Sequence, residues 1–155
     1  PGAALVLVAA LGLLGQWSRR FGIMEILKDG VSASLFVAML GLLMTMVAGV
    51  AHGAGLAPGR PDLLALGIAF LLPLVSGALS QLLPVWRWPG PVIPARLEMR
   101  KILAKNGQWR SGLWLSSAGA VLAGYDLLAG VLLAIGLLLF IFSLLQAVRL
   151  PRSTR

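Results

Sequence analysis

Long apolar runs separated by short polar stretches organise the chain. The runs cover residues 1–16, 31–51, 63–85 and 112–148. The last is too long for one membrane crossing. Its only polar interruption, Gly124-Tyr125-Asp126, has the composition of a tight hairpin, which divides it into spans at 111–124 and 127–148. Roughly 20 apolar residues cross the hydrocarbon layer, so the second, third and fifth runs have the right length. The first and fourth are short, and read as a truncated span and as one that is tilted or sheltered by its neighbours. A further helix is expected over 94–106, opening on Pro94 and closing on Asn106-Gly107, with Ala95, Met99, Ile102 and Leu103 on one apolar side. The pattern therefore predicts an all-α integral membrane helical bundle. It has about five transmembrane helices and a short interfacial amphipathic helix, in a single transmembrane domain over 1–155.

Composition supports lipid as the solvent. The chain is 59% hydrophobic and 12% charged, where soluble domains carry about 25% charged residues. Its net charge of +8 does not point to nucleic acid, because the basic residues cluster between the apolar runs. Arg19, Arg20 and Lys28 follow the first run; Arg87, Arg96, Arg100, Lys101, Lys105 and Arg110 follow the third; Arg149, Arg152 and Arg155 follow the fifth. In a five-span arrangement all of these share one side, and Arg60 alone falls on the other. The positive-inside rule then predicts an outside N-terminus and a cytoplasmic C-terminus, in a bacterial cytoplasmic (inner) membrane. Trp17, Trp86, Trp88 and Trp109 fall beside the cytoplasmic span ends, where indoles anchor in the headgroup layer. The start at Pro1, already apolar and without a basic segment before it, reads as a chain that begins partway through a longer protein.

Candidate chemistry is sparse. There is no cysteine and one histidine, His52, which excludes thiolate chemistry and any multi-histidine centre built from this chain alone. No phosphate loop, zinc-type histidine–glutamate pattern, serine triad or carboxylate pair occurs. Met39, Met44 and Met46 carry thioethers of the kind that suit Cu(I), but core filling accounts for them better, and no metal site is expected. Asp126 is expected to cap the start of the fifth span.

Three sets of residues define faces. Gly41, Thr45, Gly49 and Gly53 recur every four residues on the second span, as do Gly112, Ser116, Ala120 and Gly124 on the fourth. Such stripes let another helix approach closely, and internal packing is the favoured use. Pro73, Ser76, Gly77, Ser80, Gln81 and Pro84 share one face of the third span. They read as a polar interhelical seam, with the lining of a solute or ion pathway as the alternative. Arg96, Arg100, Lys101 and Lys105 charge the interfacial helix, which would lie against anionic headgroups or dock a cytoplasmic partner.

From about Ala69 onward a longer pattern emerges: Val75-Ser76-Gly77-Ala78-Leu79-Ser80-Gln81-Leu82-Leu83-Pro84-Val85, then Pro89-Gly90-Pro91, a basic loop, Asn106-Gly107 and two closing spans. Over residues 69–150 this resembles the C-terminal part of bacterial multi-span membrane proteins related to the haem-copper oxidase superfamily. That superfamily holds its metals with histidines on other spans, and no span here has a histidine in its middle. The resemblance thus implies a non-catalytic closing segment or subunit, with haem or copper present only if other chains or a missing segment supply it. The expected function is a non-catalytic membrane subunit or segment packing within a larger, respiratory-type complex alongside other membrane subunits. The alternatives are the pathway through the third span, and the C-terminal part of a redox protein whose ligands lie elsewhere.

Overall fold

The computed structural model describes residues 2–56 and 63–150, with side chains from residue 5 onward. It is all-α. In chain order the elements are α1 (Gly2–Phe21), α2 (Ile23–Lys28), α3 (Gly30–Gly53), α4 (Leu63–Leu66), a π-helical turn (Gly67–Leu71), α5 (Leu72–Arg87), α6 (Pro94–Ala104), α7 (Gly107–Leu122) and α8 (Asp126–Val148). The segment from α4 through α5 is one unbroken helix of 25 residues. This helix, α3 and α8 are long and apolar enough to cross a membrane. With 16 residues, α7 extends roughly 24 Å, less than the hydrocarbon thickness of about 30 Å.

Local chemistry sets the boundaries. The first helix runs past residue 16 to Phe21 and stops at Gly22, whose φ of 76° suits a residue without a Cβ. Asp29 caps α3: its Oδ2 accepts from the Ser32 backbone N–H at 3.1 Å and the Ser32 hydroxyl at 2.6 Å. Asn106, in the left-handed region at φ 61°, separates α6 from α7. The expected capping by Asp126 does not occur. Tyr125 holds the cap position without a side-chain bond, and Asp126 is the first helical residue, where its charge still faces the positive end of α8.

The π-helical turn has an identifiable cause. Pro73 cannot donate to the carbonyl four residues earlier, and its ring crowds that carbonyl, which belongs to Ala69. Widening the helix over Gly67–Leu71 relieves the crowding. It also turns Ala69 toward Gly41 of α3, where a Cβ on the glycine would collide with the Ala69 backbone.

The core has three parts. Ala10, Leu14, Ile26, Phe36 and Leu43 join α1 and α2 to α3, with the Trp17 and Phe36 rings edge to face at 6.0 Å. Ala65, Ile68, Ala69, Trp114 and Ala118 fill the centre, covered by Leu133, Leu137 and Phe140 of α8. Met99, Leu103 and Ala147 fasten α6 across the ends of α5 and α8. Of the three long apolar helices, α8 is the least covered by the rest of the chain.

Candidate functional site

The starts of α3 and α7 and the ends of α5 and α8 meet at one end of the bundle, beneath α6. The close approach there depends on glycine. A Cβ on Gly30 would strike the Ala104 carbonyl, and one on Gly107 would strike the Gly30 backbone. One turn further along each helix, the Ser111 hydroxyl donates to the Ser34 hydroxyl at 3.0 Å, and Ser34 donates to the Gly30 carbonyl at 2.8 Å. Two Gly-x-x-x-Ser steps therefore cross each other, the arrangement that brings membrane helices into backbone contact. Gly77 of α5 completes the junction, its absent Cβ leaving room for Ser34 and Leu35.

Arg110 lies in the first turn of α7 and is 1% exposed. Its two terminal nitrogens both reach the Leu103 carbonyl at 3.5 Å, and its charge sits 5.0 Å from the centre of the Phe140 ring and 5.9 Å from that of Trp114. The Leu103 carbonyl lies in the last turn of α6, where helices leave acceptors unsatisfied, and it also receives the Ser80 hydroxyl at 3.4 Å. Aromatic faces and the negative end of a helix thus take the place of a carboxylate. Arg110 Nε and Trp114 Nε1 are buried without a hydrogen-bond partner among the described residues.

The expected packing stripes are used only in part. Gly41 is buried against Ala69, and Thr45 returns its hydroxyl to the Gly41 and Leu42 carbonyls at 3.0 Å. Gly49 and Gly53 meet nothing within 4 Å at the Cβ position. On α7, Ala120 is buried, Ser116 is exposed, Gly112 faces open space, and Gly124 forms the hairpin turn at φ 80°. The face of α7 that packs internally runs through Gly107, Ser111, Trp114 and Ala118 instead.

The polar stripe of α5 is a seam between helices. Pro73, Ser76, Gly77, Ser80 and Pro84 are buried, while Gln81 is half-buried. The Ser76 hydroxyl donates to the Pro73 carbonyl at 3.1 Å and that of Ser80 to the Ser76 carbonyl at 2.7 Å. The basic helix α6 has its apolar side, Met99 and Leu103, fully buried against the bundle rather than turned toward lipid. Its outer face presents Arg100 and Lys105, with Lys101 paired to Glu98 at 2.9 Å; Arg96 donates to the Gly90 carbonyl at 3.1 Å.

Met39 packs with the α1–α3 cluster, Met44 with the central one, and Met46 lines a separate apolar pocket, so the three thioethers do not converge. His52 is exposed, and the described residues hold no cluster of three or more histidines or carboxylates. Trp86 and Trp109 are 65% and 69% exposed, whereas Trp17 and Trp88 pack against the protein.

Sequence reasoning missed Arg110 as a buried group, counting it among the loop charges, and missed the Gly30–Ser34 and Gly107–Ser111 crossing. The available signal was the four-residue spacing in each pair, obscured because both glycines lie outside the apolar runs. No family model, curated protein or solved structure matches the chain.

Proposed function

We propose that the chain is a five-span, non-catalytic subunit or segment of a larger bacterial inner-membrane assembly of respiratory type, with its N-terminus outside and its C-terminus in the cytoplasm. The supporting observation is the outer face of α7. Ser116 is exposed there, and Cβ atoms added at Gly112 and Gly119 meet nothing within 4 Å. In lipid, apolar burial gives helices little reason to associate, and close backbone approach at small residues is a main source of affinity. A face cut back to glycine and serine, left open by the described residues, fits a helix from a partner subunit. The orientation rests on the gathering of the basic loop ends beneath α6 together with the positive-inside rule.

Native mass spectrometry after gentle solubilisation from the source membrane tests the reading. The chain is expected only within a heavier complex, which Gly112→Leu dissociates while leaving this chain folded. A chain that runs alone, with or without that substitution, defeats the subunit reading.

A further inference from the structure

Beside the end of α5, a cleft of about 520 Å³ opens between Arg87, Trp88, Pro89, Pro91, Ile93 and the first turn of α6. That volume lies within the roughly 300–1,000 Å³ of small-molecule sites. Arg87 is its cation. One terminal nitrogen, Nη2, donates to the Val148 and Leu150 carbonyls at 3.3 and 3.1 Å, which fixes the side chain against the end of α8. Its guanidinium is packed over the Trp88 ring at 5.3 Å. Among the described residues the other terminal nitrogen, Nη1, has no hydrogen-bond partner, and neither has the buried Nε.

Among the described residues no carboxylate pairs with this charge. The ion pairs among the described residues are Lys28–Glu25 and Lys101–Glu98, both exposed and neither at the cleft. The remaining walls are rigid. Pro89, Pro91 and Pro94 restrict the backbone, and Arg96 holds the loop through the Gly90 carbonyl at 3.1 Å. Pro94 and Ala95 open α6, which has no side-chain cap, so the positive end of that helix forms one wall. Trp86, 65% exposed one residue before Arg87, marks the headgroup layer at this level.

We propose that this cleft is a binding site for the phosphate group of an anionic phospholipid. Arg87 is the pre-oriented donor, and the proline-rich loop and the start of α6 form the walls around it. A guanidinium held on one side by α8 and left free on the other offers directed hydrogen bonds to phosphate oxygens, and Trp88 shields it from water. The site is separate from the exposed charges of Arg100 and Lys105, which attract an anionic surface without selecting a single molecule. The inference requires that the chain span a membrane, but it requires no partner subunit, so it can fail or succeed independently of the reading above.

The test uses the full chain in dodecylmaltoside micelles, with native mass spectrometry reading the lipid retained. Dioleoyl-phosphatidylglycerol, dioleoyl-phosphatidylcholine and inorganic phosphate are added separately. The wild-type chain is expected to keep one phosphatidylglycerol, about five- to ten-fold more often than phosphatidylcholine. Arg87→Gln is expected to abolish that preference, and Arg100→Gln to preserve it. Because Arg87 also braces α8, Ala95→Leu provides a second variant: it fills the cleft without touching the cation, and should lower retention at unchanged thermal stability. Equal retention of the two lipids, or an undiminished preference in both Arg87→Gln and Ala95→Leu, overturns the site. Saturable binding of inorganic phosphate that displaces the lipid assigns the cleft to a free anion and overturns the lipid assignment.

Discussion

Gly41→Ala is the sharpest probe of how the bundle is held together. A Cβ at this position would lie 2.5 Å from the Ala69 carbonyl carbon and 2.7 Å from the Ala69 Cβ, and nearer still to the carbonyl oxygen. None of these atoms belongs to a flexible side-chain end. The backbone there is the π-helical turn forced by Pro73, so relief requires α3 to move away from the α4–α5 helix as a whole. Overpacking of this kind costs about 1–3 kcal/mol. Alanine recovers up to about 1 kcal/mol of helix propensity over glycine. The net expectation is a loss of about 1–2 kcal/mol, or roughly five- to thirty-fold in the folded population. Gly49→Ala, two turns along the same helix, meets nothing within 4 Å and is expected to be neutral or slightly stabilising. Unfolding by sodium dodecyl sulfate titrated into dodecylmaltoside micelles, followed by tryptophan fluorescence, compares the two. If both variants unfold at the same detergent fraction, Gly41 is not a close-contact point and the account of the π-helical turn fails with it.

Other substitutions examine the remaining contacts. In a double-mutant cycle, Ser34→Ala and Ser111→Ala should show coupling of about 0.6 kcal/mol, measured by the same titration; strictly additive losses would remove the hydroxyl bridge from the α3–α7 junction. Gly136→Ala places a methyl group 2.7 Å from Trp114 Cδ1 and should destabilise by about 1–3 kcal/mol, whereas Gly130→Ala on the same helix should not. Arg110→Lys keeps the charge but loses the planar contact with Phe140 and Trp114, and is expected to cost about 1–2 kcal/mol. Arg110→Met, which removes the buried charge and leaves the Leu103 carbonyl to Ser80, should be no worse than the lysine variant; a stable lysine variant beside an unfolded methionine variant would contradict the aromatic-and-carbonyl account.

Which features the sequence made legible follows from the physics of each. Helix positions were readable because lipid forces long apolar runs, and α3, the α4–α5 helix and α8 stand within a few residues of the runs at 31–51, 63–85 and 127–148. The faces were harder. In water a buried face differs from an exposed one in polarity, but in lipid both are apolar, so residue size is the main remaining signal. Size shows that a close approach is possible without showing which approach is made. Gly41 and Gly49 are equivalent in the sequence, yet only Gly41 meets another backbone, because Pro73 on a different helix turns Ala69 toward it. Gly30 and Gly107 lay outside the apolar runs, and no periodicity within those runs could reveal that they cross.

Arg110 resisted reading for a related reason. Charge near a span end ordinarily reports sidedness, and in the sequence Arg110 stands in a basic stretch with Arg96, Arg100, Lys101 and Lys105, where nothing distinguishes it from them. Its burial depends on three groups brought together from separate elements: the Leu103 carbonyl at the end of α6, the Phe140 ring on α8, and Trp114 one turn further along α7. Of these, only the spacing between Arg110 and Trp114 is visible in the sequence. Arg87 is the corresponding case at the end of α5, taking the Val148 carbonyl at the end of α8 and the Leu150 carbonyl just beyond it, as Arg110 takes that of Leu103 in α6. In both, an arginine donates to acceptors at or just past a helix end. The difference is that Arg110 is enclosed by rings on its remaining sides, whereas Arg87 borders an open cleft. An arginine that also holds a helix end is fixed before any ligand arrives, so little rotamer entropy is lost when an anion binds, and the same substitution should therefore lower both anion selectivity and the hold on α8.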